Sequence, residues 1–326
     1  MTGDLTSYDP SSVLIRNFCS VCGAKVYVQS SSSGNIFPSS GVVERKDVKT
    51  LFGSNFHVFV ADALDGGISI WFPSSKRWKE RDDGAEAEGP SYYKVAKQRK
   101  EQTRSGSSSR LSCSCKCGAI AFAIAPPPSS PRDLPADFSA GPYSDLVVPH
   151  RSNNAKKDNP DNEAWFLRKH PANPADGDHQ RLTRYLAGLC VCRSCRKASG
   201  NEFQAWAFIS AYCLLTTTTT AANFLNDQSQ ILDFNELRAR GMKTYNSSPG
   251  VYRDFCGTCG AVAFWRSDAR RDVVDVSVGL MDAPGGQVRA EDWLEWCTDR
   301  VSFEEEAENG EVVGWLKEGM QAWNHP

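Results

Sequence analysis

Seven of the chain's twelve cysteines fall into three tight clusters, and the clusters differ in how many sulfurs they hold. Cys115-Lys116-Cys117 and Cys256-Gly257-Thr258-Cys259 are pairs that together supply four thiolates. Cys190-Val191-Cys192-Arg193-Ser194-Cys195 supplies three. Zinc takes thiolates in tetrahedral geometry: four sulfurs close a structural site, and three leave one position open to a substrate. The count therefore predicts two Zn2+ ions. One is structural, on Cys115, Cys117, Cys256 and Cys259; the other is catalytic, on Cys190, Cys192 and Cys195.

Three thiolates around a divalent ion leave a net charge of about minus one. Arg196 and Lys197 follow the triad directly, and the sequence assigns them to offset that charge and to steer an anionic group. A second structural site remains the alternative, with a fourth ligand from His179, Cys213 or Cys297. Cys19 and Cys22 form another knuckle with no complementary pair nearby. It reads as vestigial, or as completed by a second chain, Cys213 or Cys297. Cys113 reads as a bystander thiol. The chain contains no phosphate-binding glycine loop, serine-hydrolase elbow, His-Glu-x-x-His or deaminase signature.

Composition narrows the setting. A formal charge of -2 gives no global field for nucleic acid. No apolar run approaches the length of a bilayer span, and residues 1–12 lack the pattern of a secretory signal. A cytoplasmic location is expected, with the nucleus as the other reduced compartment, where clustered cysteines bind metal more readily than they form disulfides. The expected partner is a small-molecule thiol or carbonyl substrate, with no nucleic acid and no membrane; the reading leaves room for a homodimer.

The elements that must position these cysteines read mostly as short strands, at residues 25–28, 56–60, 68–72, 119–124, 203–209, 261–265 and 273–278. Asp65-Gly66-Gly67 reads as the turn between the second and third. Residues 311–320 are the best helix candidate. Serine-, glycine- and proline-rich stretches divide the chain into a partial β domain at 1–75, a linker at 76–110 and a complete zinc domain at 111–326. An insertion lies within that domain at about 126–178. Residues 18–27 repeat at 255–264, each copy carrying an aromatic, Cys-x-x-Cys-Gly-Ala and an apolar strand.

Read jointly, Cys115-Lys-Cys117-Gly118-Ala119-Ile120, the triad with Arg196-Lys197-Ala198-Ser199-Gly200, Tyr245-Asn-Ser247-Ser248-Pro249-Gly250, Arg253, Phe255-Cys256-Gly-Thr-Cys259-Gly260-Ala261 and Phe264-Trp265 resemble the glutathione-dependent formaldehyde-activating enzyme family, also called the GFA or CENP-V domain family. The resemblance covers about 111–296, with a degenerate partial copy at about 15–72. It implies a mainly β, Mss4-like zinc fold, duplicated with the first copy incomplete, and the same division of cysteines between two zinc ions. The chain departs from the family in its long insertion, its valine at position 191 and its leading half-domain.

The function expected is that of a zinc-dependent carbon–sulfur lyase or synthase acting on a thiol–carbonyl adduct, in a variant suited to specialised, fungal-type metabolism. Tyr245, Ser247 and Ser248 are expected at the pocket wall, and Trp206 and Trp265 in the core. The same Lewis acid would suit a dehydratase or cyclase of a carbonyl metabolite. The non-catalytic alternative is a zinc-stabilised interaction module.

Overall fold

Runs such as Ala-Phe-Ala-Ile and Val-Val-Asp-Val, too short for stable helices and apolar on both faces, fold as strands covered on both sides. The computed structural model describes residues 4–43, 56–63, 65–80, 86, 110–150, 158–169, 183–217 and 230–324. Most of the expected linker lies outside the described residues, with Tyr92, Tyr93 and Val95; so do His170 and His179.

The protein is mainly β. Strands are numbered in chain order: β1 Leu5–Tyr8, β2 Leu14–Cys19, β3 Lys25–Ser30, β4 Ile36–Pro38, β5 Phe56–His57, β6 Lys76–Arg77, β7 Leu111–Ser114, β8 Ala121–Ile124, β9 Leu167–Lys169, β10 Thr183–Cys190, β11 Gln204–Ser210, β12 Leu214–Leu215, β13 Met242–Ser248, β14 Val251–Cys256, β15 Val262–Ser267, β16 Arg270–Ser277, β17 Met281–Asp282 and β18 Leu294–Trp296. The largest sheet runs β13-β14-β15-β16-β11-β10-β18, and β9 pairs with β10. A second sheet, β12-β8-β7-β17, packs on it through one core that includes Ile120, Phe122, Ile124, Tyr185, Phe208 and Phe264. The Phe122 and Phe264 rings meet there at 5.1 Å.

A smaller cluster forms around Trp71, Leu189, Val191, Val301 and the C-terminal helix. That helix, α3 (Gly310–Asn324), contains the stretch expected to be helical. It buries Val312, Val313, Leu316 and Met320, the three- and four-residue spacing of one helical face. Gly319 lies so close to the Trp71 backbone that a Cβ has no room.

Residues 68–72, expected as a strand, instead form the 3-10 helix Gly67–Trp71. The buried Arg289 holds the turn that starts it, and Arg77 donates to the Ser69 carbonyl within it and to the Phe72 carbonyl at its end. The Arg289 guanidinium donates to the Asp65 and Gly67 carbonyls at 2.6 Å each, while the Asp65 carboxylate accepts from the backbone amides of Gly67 and Arg289. Gly66 and Gly67 accept the positive φ this turn demands. Two further helices escaped the sequence reading: α1 (Arg193–Ser199) and α2 (Phe234–Ala239).

The N-terminal strands form their own sheet, β1-β2-β3-β4. Their register has a counterpart in β13–β15. Leu5↔Cys19 corresponds to Met242↔Cys256, and Asn17↔Tyr27 to Asp254↔Phe264. A bulge follows Asn17 in one hairpin and Asp254 in the other.

Candidate metal centres and active site

Cys115 and Cys117 end the β7 hairpin arm, and Cys256 and Cys259 occupy the β14–β15 turn, so two sheets meet at four sulfurs. All four Sγ atoms lie within 4.8 Å of one another. Cys117 Sγ is 3.5 Å from that of Cys115 and 3.4 Å from that of Cys256. A tetrahedral ion with Zn–S bonds of about 2.3 Å sets its sulfurs about 3.8 Å apart, close to this spacing. Backbone amides also aim at the sulfurs, from Ile120 to Cys115 at 3.3 Å and from Cys259 to Cys256 at 3.4 Å. Such donors stabilise thiolate ligands. The side chains of Cys115 and Cys259 donate to Cys256 and pull its pKa down to about 3. The donor set fits a resident metal ion.

The triad is built differently from the single loop that its spacing suggested. Cys190 closes β10, Cys192 caps α1 and Cys195 lies in the helix's first turn. The Cys195 amide donates to Cys192 Sγ at 3.4 Å, the capping bond of a helix whose cap is a thiol. The three Sγ atoms also lie within 4.8 Å of one another. Among the described residues, no fourth Cys, His, Asp or Glu joins them in a metal-holding group. Cys213 is fully buried in the main core, and Cys297 points its sulfur towards the Leu146 carbonyl at 4.0 Å. Neither groups with the triad or with Cys19 and Cys22.

Cys195 is the hub. It receives hydrogen bonds from Trp206 Nε1 and from Arg253 Nη2, each at 3.4 Å. Donation from the Cys190 and Cys192 side chains, with help from the Arg253 charge and the Trp206 donor, holds its thiol well below the ordinary range. Conversely, the bond to Cys192 pushes Cys190 well above it. The cation that offsets the triad's charge is therefore Arg253, buried on β14. The sequence reading missed this role, although Arg253 stood among the residues carrying the resemblance.

Arg196 and Lys197 do not line the cavity. Arg196 is only 2% exposed, and its guanidinium faces Glu308 at 3.3 Å and Glu202 at 3.9 Å. On a helix each residue turns about 100° from the last, so the neighbour of an inward cysteine points elsewhere. Tyr245, Ser247 and Ser248 lie on β13, also away from the cavity wall. Trp206 and Trp265, expected as core, both line it.

That cavity has a volume of about 300 Å³ and opens onto Cys190, Cys192 and Cys195. Its walls include the rings of Tyr143, Trp206, Phe208, Trp265 and Phe303. Arg270 pairs with Asp275, and its guanidinium sits over the Trp165, Phe208 and Trp265 rings at 5.0 to 5.4 Å. Burial raises the Asp275 pKa to about 6 although Arg270 opposes the shift.

The insertion supplies the remaining wall, Pro142 to Leu146. Asp145 fastens it: its carboxylate accepts from the backbone amides of His150 and Phe303 and from Arg300. Leu146 then lies against Gly188 so closely that a Cβ on Gly188 meets its side chain. Gly188→Val is expected to lower stability by about 1–3 kcal/mol, the usual cost of overpacking. Thermal melts should show part of that loss recovered by adding Leu146→Ala.

Residues 180–299 match the family model described as glutathione-dependent formaldehyde-activating enzyme. Over those residues the chain is similar to the GFA family. The matched GFA segment holds the triad, Arg253, Trp206 and the Cys256–Cys259 knuckle, while Cys115, Cys117 and the insertion's wall lie before it. No curated protein and no solved structure matches the chain. No helix among the described residues is long and apolar enough to cross a membrane.

Proposed function

We propose that this chain is a zinc-dependent enzyme that forms or breaks the bond between a thiol sulfur and a carbonyl carbon. The observation that carries this reading is a three-sulfur cluster without a fourth protein ligand among the described residues, opening on a cavity of about 300 Å³. The family's name supports it, since it pairs a thiol, glutathione, with a carbonyl, formaldehyde. Zinc on Cys190, Cys192 and Cys195 would supply Lewis acidity towards a carbonyl oxygen or hold a thiol as its thiolate.

The chain's own residues set the conditions for that chemistry. Arg253 and Trp206 donate to Cys195 and draw charge from it, which keeps a sulfur-rich centre electrophilic. The aromatic walls make the cavity's lining mostly apolar, and a less polar surrounding strengthens each polar contact inside. In the synthetic direction, sulfur attacks the carbonyl carbon and the C–S bond forms. The C=O π pair moves to oxygen, and the thiol proton ends there. The lyase direction reverses each change, and neither needs an oxidant or reductant. The second zinc, on Cys115, Cys117, Cys256 and Cys259, is structural.

Cobalt substitution tests the reading. The thiolate-to-cobalt and ligand-field bands of the triad centre should shift on adding a small thiol or aldehyde, and those of the four-cysteine centre should stay fixed. Spectra that no such ligand changes would mean that both centres are closed. The chain would then be an interaction module.

A further inference from the structure

The correspondence between the two hairpins extends beyond register to individual hydrogen bonds. Ser7 Oγ donates to Asn17 Oδ1 at 2.7 Å, and at the matching positions Thr244 Oγ1 donates to Asp254 Oδ1 at 2.6 Å. The knuckles close alike: Cys19 N donates to Ala24 O and Cys256 N to Ala261 O, both at 2.9 Å. Gly23 N donates to Cys19 O at 2.9 Å, and Gly260 N to Cys256 O at 2.8 Å.

The two knuckles also face each other reciprocally. A Cβ on Gly23 would sit 2.6 Å from Cγ of Phe255, and one on Gly260 would sit 2.6 Å from Cδ1 of Phe18. Each glycine has a φ just above +70°, so each ring lies over a turn that only glycine suits. The two rings meet edge to face at 6.5 Å and 79°. When residue i touches j and the copy of j touches the copy of i, the contact has the signature of a two-fold subunit interface. Here both halves belong to one chain.

The N-terminal unit then reaches the triad helix. Gly41 N donates to Gly200 O at 3.2 Å, and Gly41 abuts the Arg196 carbonyl with no space for a side chain. Lys25 packs its Cβ where a Gly200 side chain would stand. The last turn of α1 thus rests on residues 25–43.

We propose that residues 4–43 are a tethered partner: a second copy of the knuckle hairpin that fills a two-fold face in cis and braces the helix carrying Cys195. In this chain the Phe255 face is satisfied internally, and the partner it fits is another copy of the same knuckle. The brace fixes α1, and through α1 the angle at which Cys192 and Cys195 meet an ion.

The full chain, loaded with zinc, provides the test. Gly41→Ala cuts the brace, Phe18→Asp cuts the knuckle contact, and Val21→Lys, at an exposed position, is the control. Elemental analysis should show about two zinc ions per chain in the wild type and control, and about one in each cut variant, with the β circular dichroism retained. Phe18→Asp also bares the Phe255 face, so light scattering should rise towards the mass of two chains with concentration. Retention of both ions in the cut variants, or loss of both together, would overturn the brace. A Phe18→Asp chain that stays single at every concentration would overturn the partner reading, as would a wild-type dimer that this substitution splits. Absence of any thiol or carbonyl chemistry would leave ion counts and masses unchanged, so the two readings fail separately.

Discussion

Cys256→Ser is expected to unfold the domain, with loss of the cooperative thermal transition and of near-ultraviolet circular dichroism. Its sulfur joins the β7–β8 hairpin to the β14–β15 turn, segments far apart in the chain and belonging to different sheets. Zinc binding contributes directly to folding at such a site, by about 10–16 kcal/mol in zinc-finger peptides. That is comparable to the whole net stability of an ordinary domain, about 5–15 kcal/mol. A strong chelator should reproduce the effect in the unsubstituted chain. Affinity should weaken as pH falls, because thiol ligands bind zinc only as thiolates. A Cys256→Ser chain that melts within a few degrees of the wild type would show that the four-sulfur site contributes little to stability.

The second large effect is expected at Cys195→Ala, and it has the opposite character. Thiol–carbonyl turnover should fall to background and the triad ion should be lost, while the melt persists. Cys195 holds the triad together: Trp206 and Arg253 both donate to it, and it projects from the helix that Cys192 caps. Removing it leaves the Arg253 guanidinium buried without that acceptor. Such an orphaned group costs about 1–3 kcal/mol, more for a charged one, which weakens the fold without abolishing it. Arg253→Met separates the two roles. It keeps all three sulfurs, and a supporting residue of this kind typically changes metal affinity or activity by about 10–100-fold. Elemental analysis beside an initial-rate assay distinguishes the cases. Full turnover in Cys195→Ala would remove the triad from the chemistry.

The cysteine clustering was legible because chelation is partly local. Cys-x-Cys and Cys-x-x-Cys turns place sulfurs together whatever the rest of the chain does, and the unequal groups of four and three sulfurs recur in the structure. Strands 121–124, 204–210, 262–267 and 270–277 were legible for a similar reason, since short apolar runs have few alternatives. What depended on distance was missed. Arg196 and Lys197 stood next to the triad in sequence and drew the electrostatic role, yet α1 turns them away and Arg253 arrives from another strand. Residues 68–72 have a strand-like composition but form a 3-10 helix, held by Arg289 at Gly67 and by Arg77 at Ser69 and Phe72. The aromatic wall was illegible too, because it gathers Tyr143, Trp206, Trp265 and Phe303 from four separate segments.

The Asp145 anchor has an evolutionary consequence. Because the segment from Pro142 to Leu146 hangs from Arg300 and two backbone amides rather than from any cysteine of the two clusters, its side chains can be exchanged while both sulfur clusters keep their ligands. Under the proposed function, single substitutions at Tyr143 or Ser144 are expected to change substrate preference while both sulfur clusters stay intact. On that reading, this part of the cavity wall can vary independently of the metal-holding cysteines.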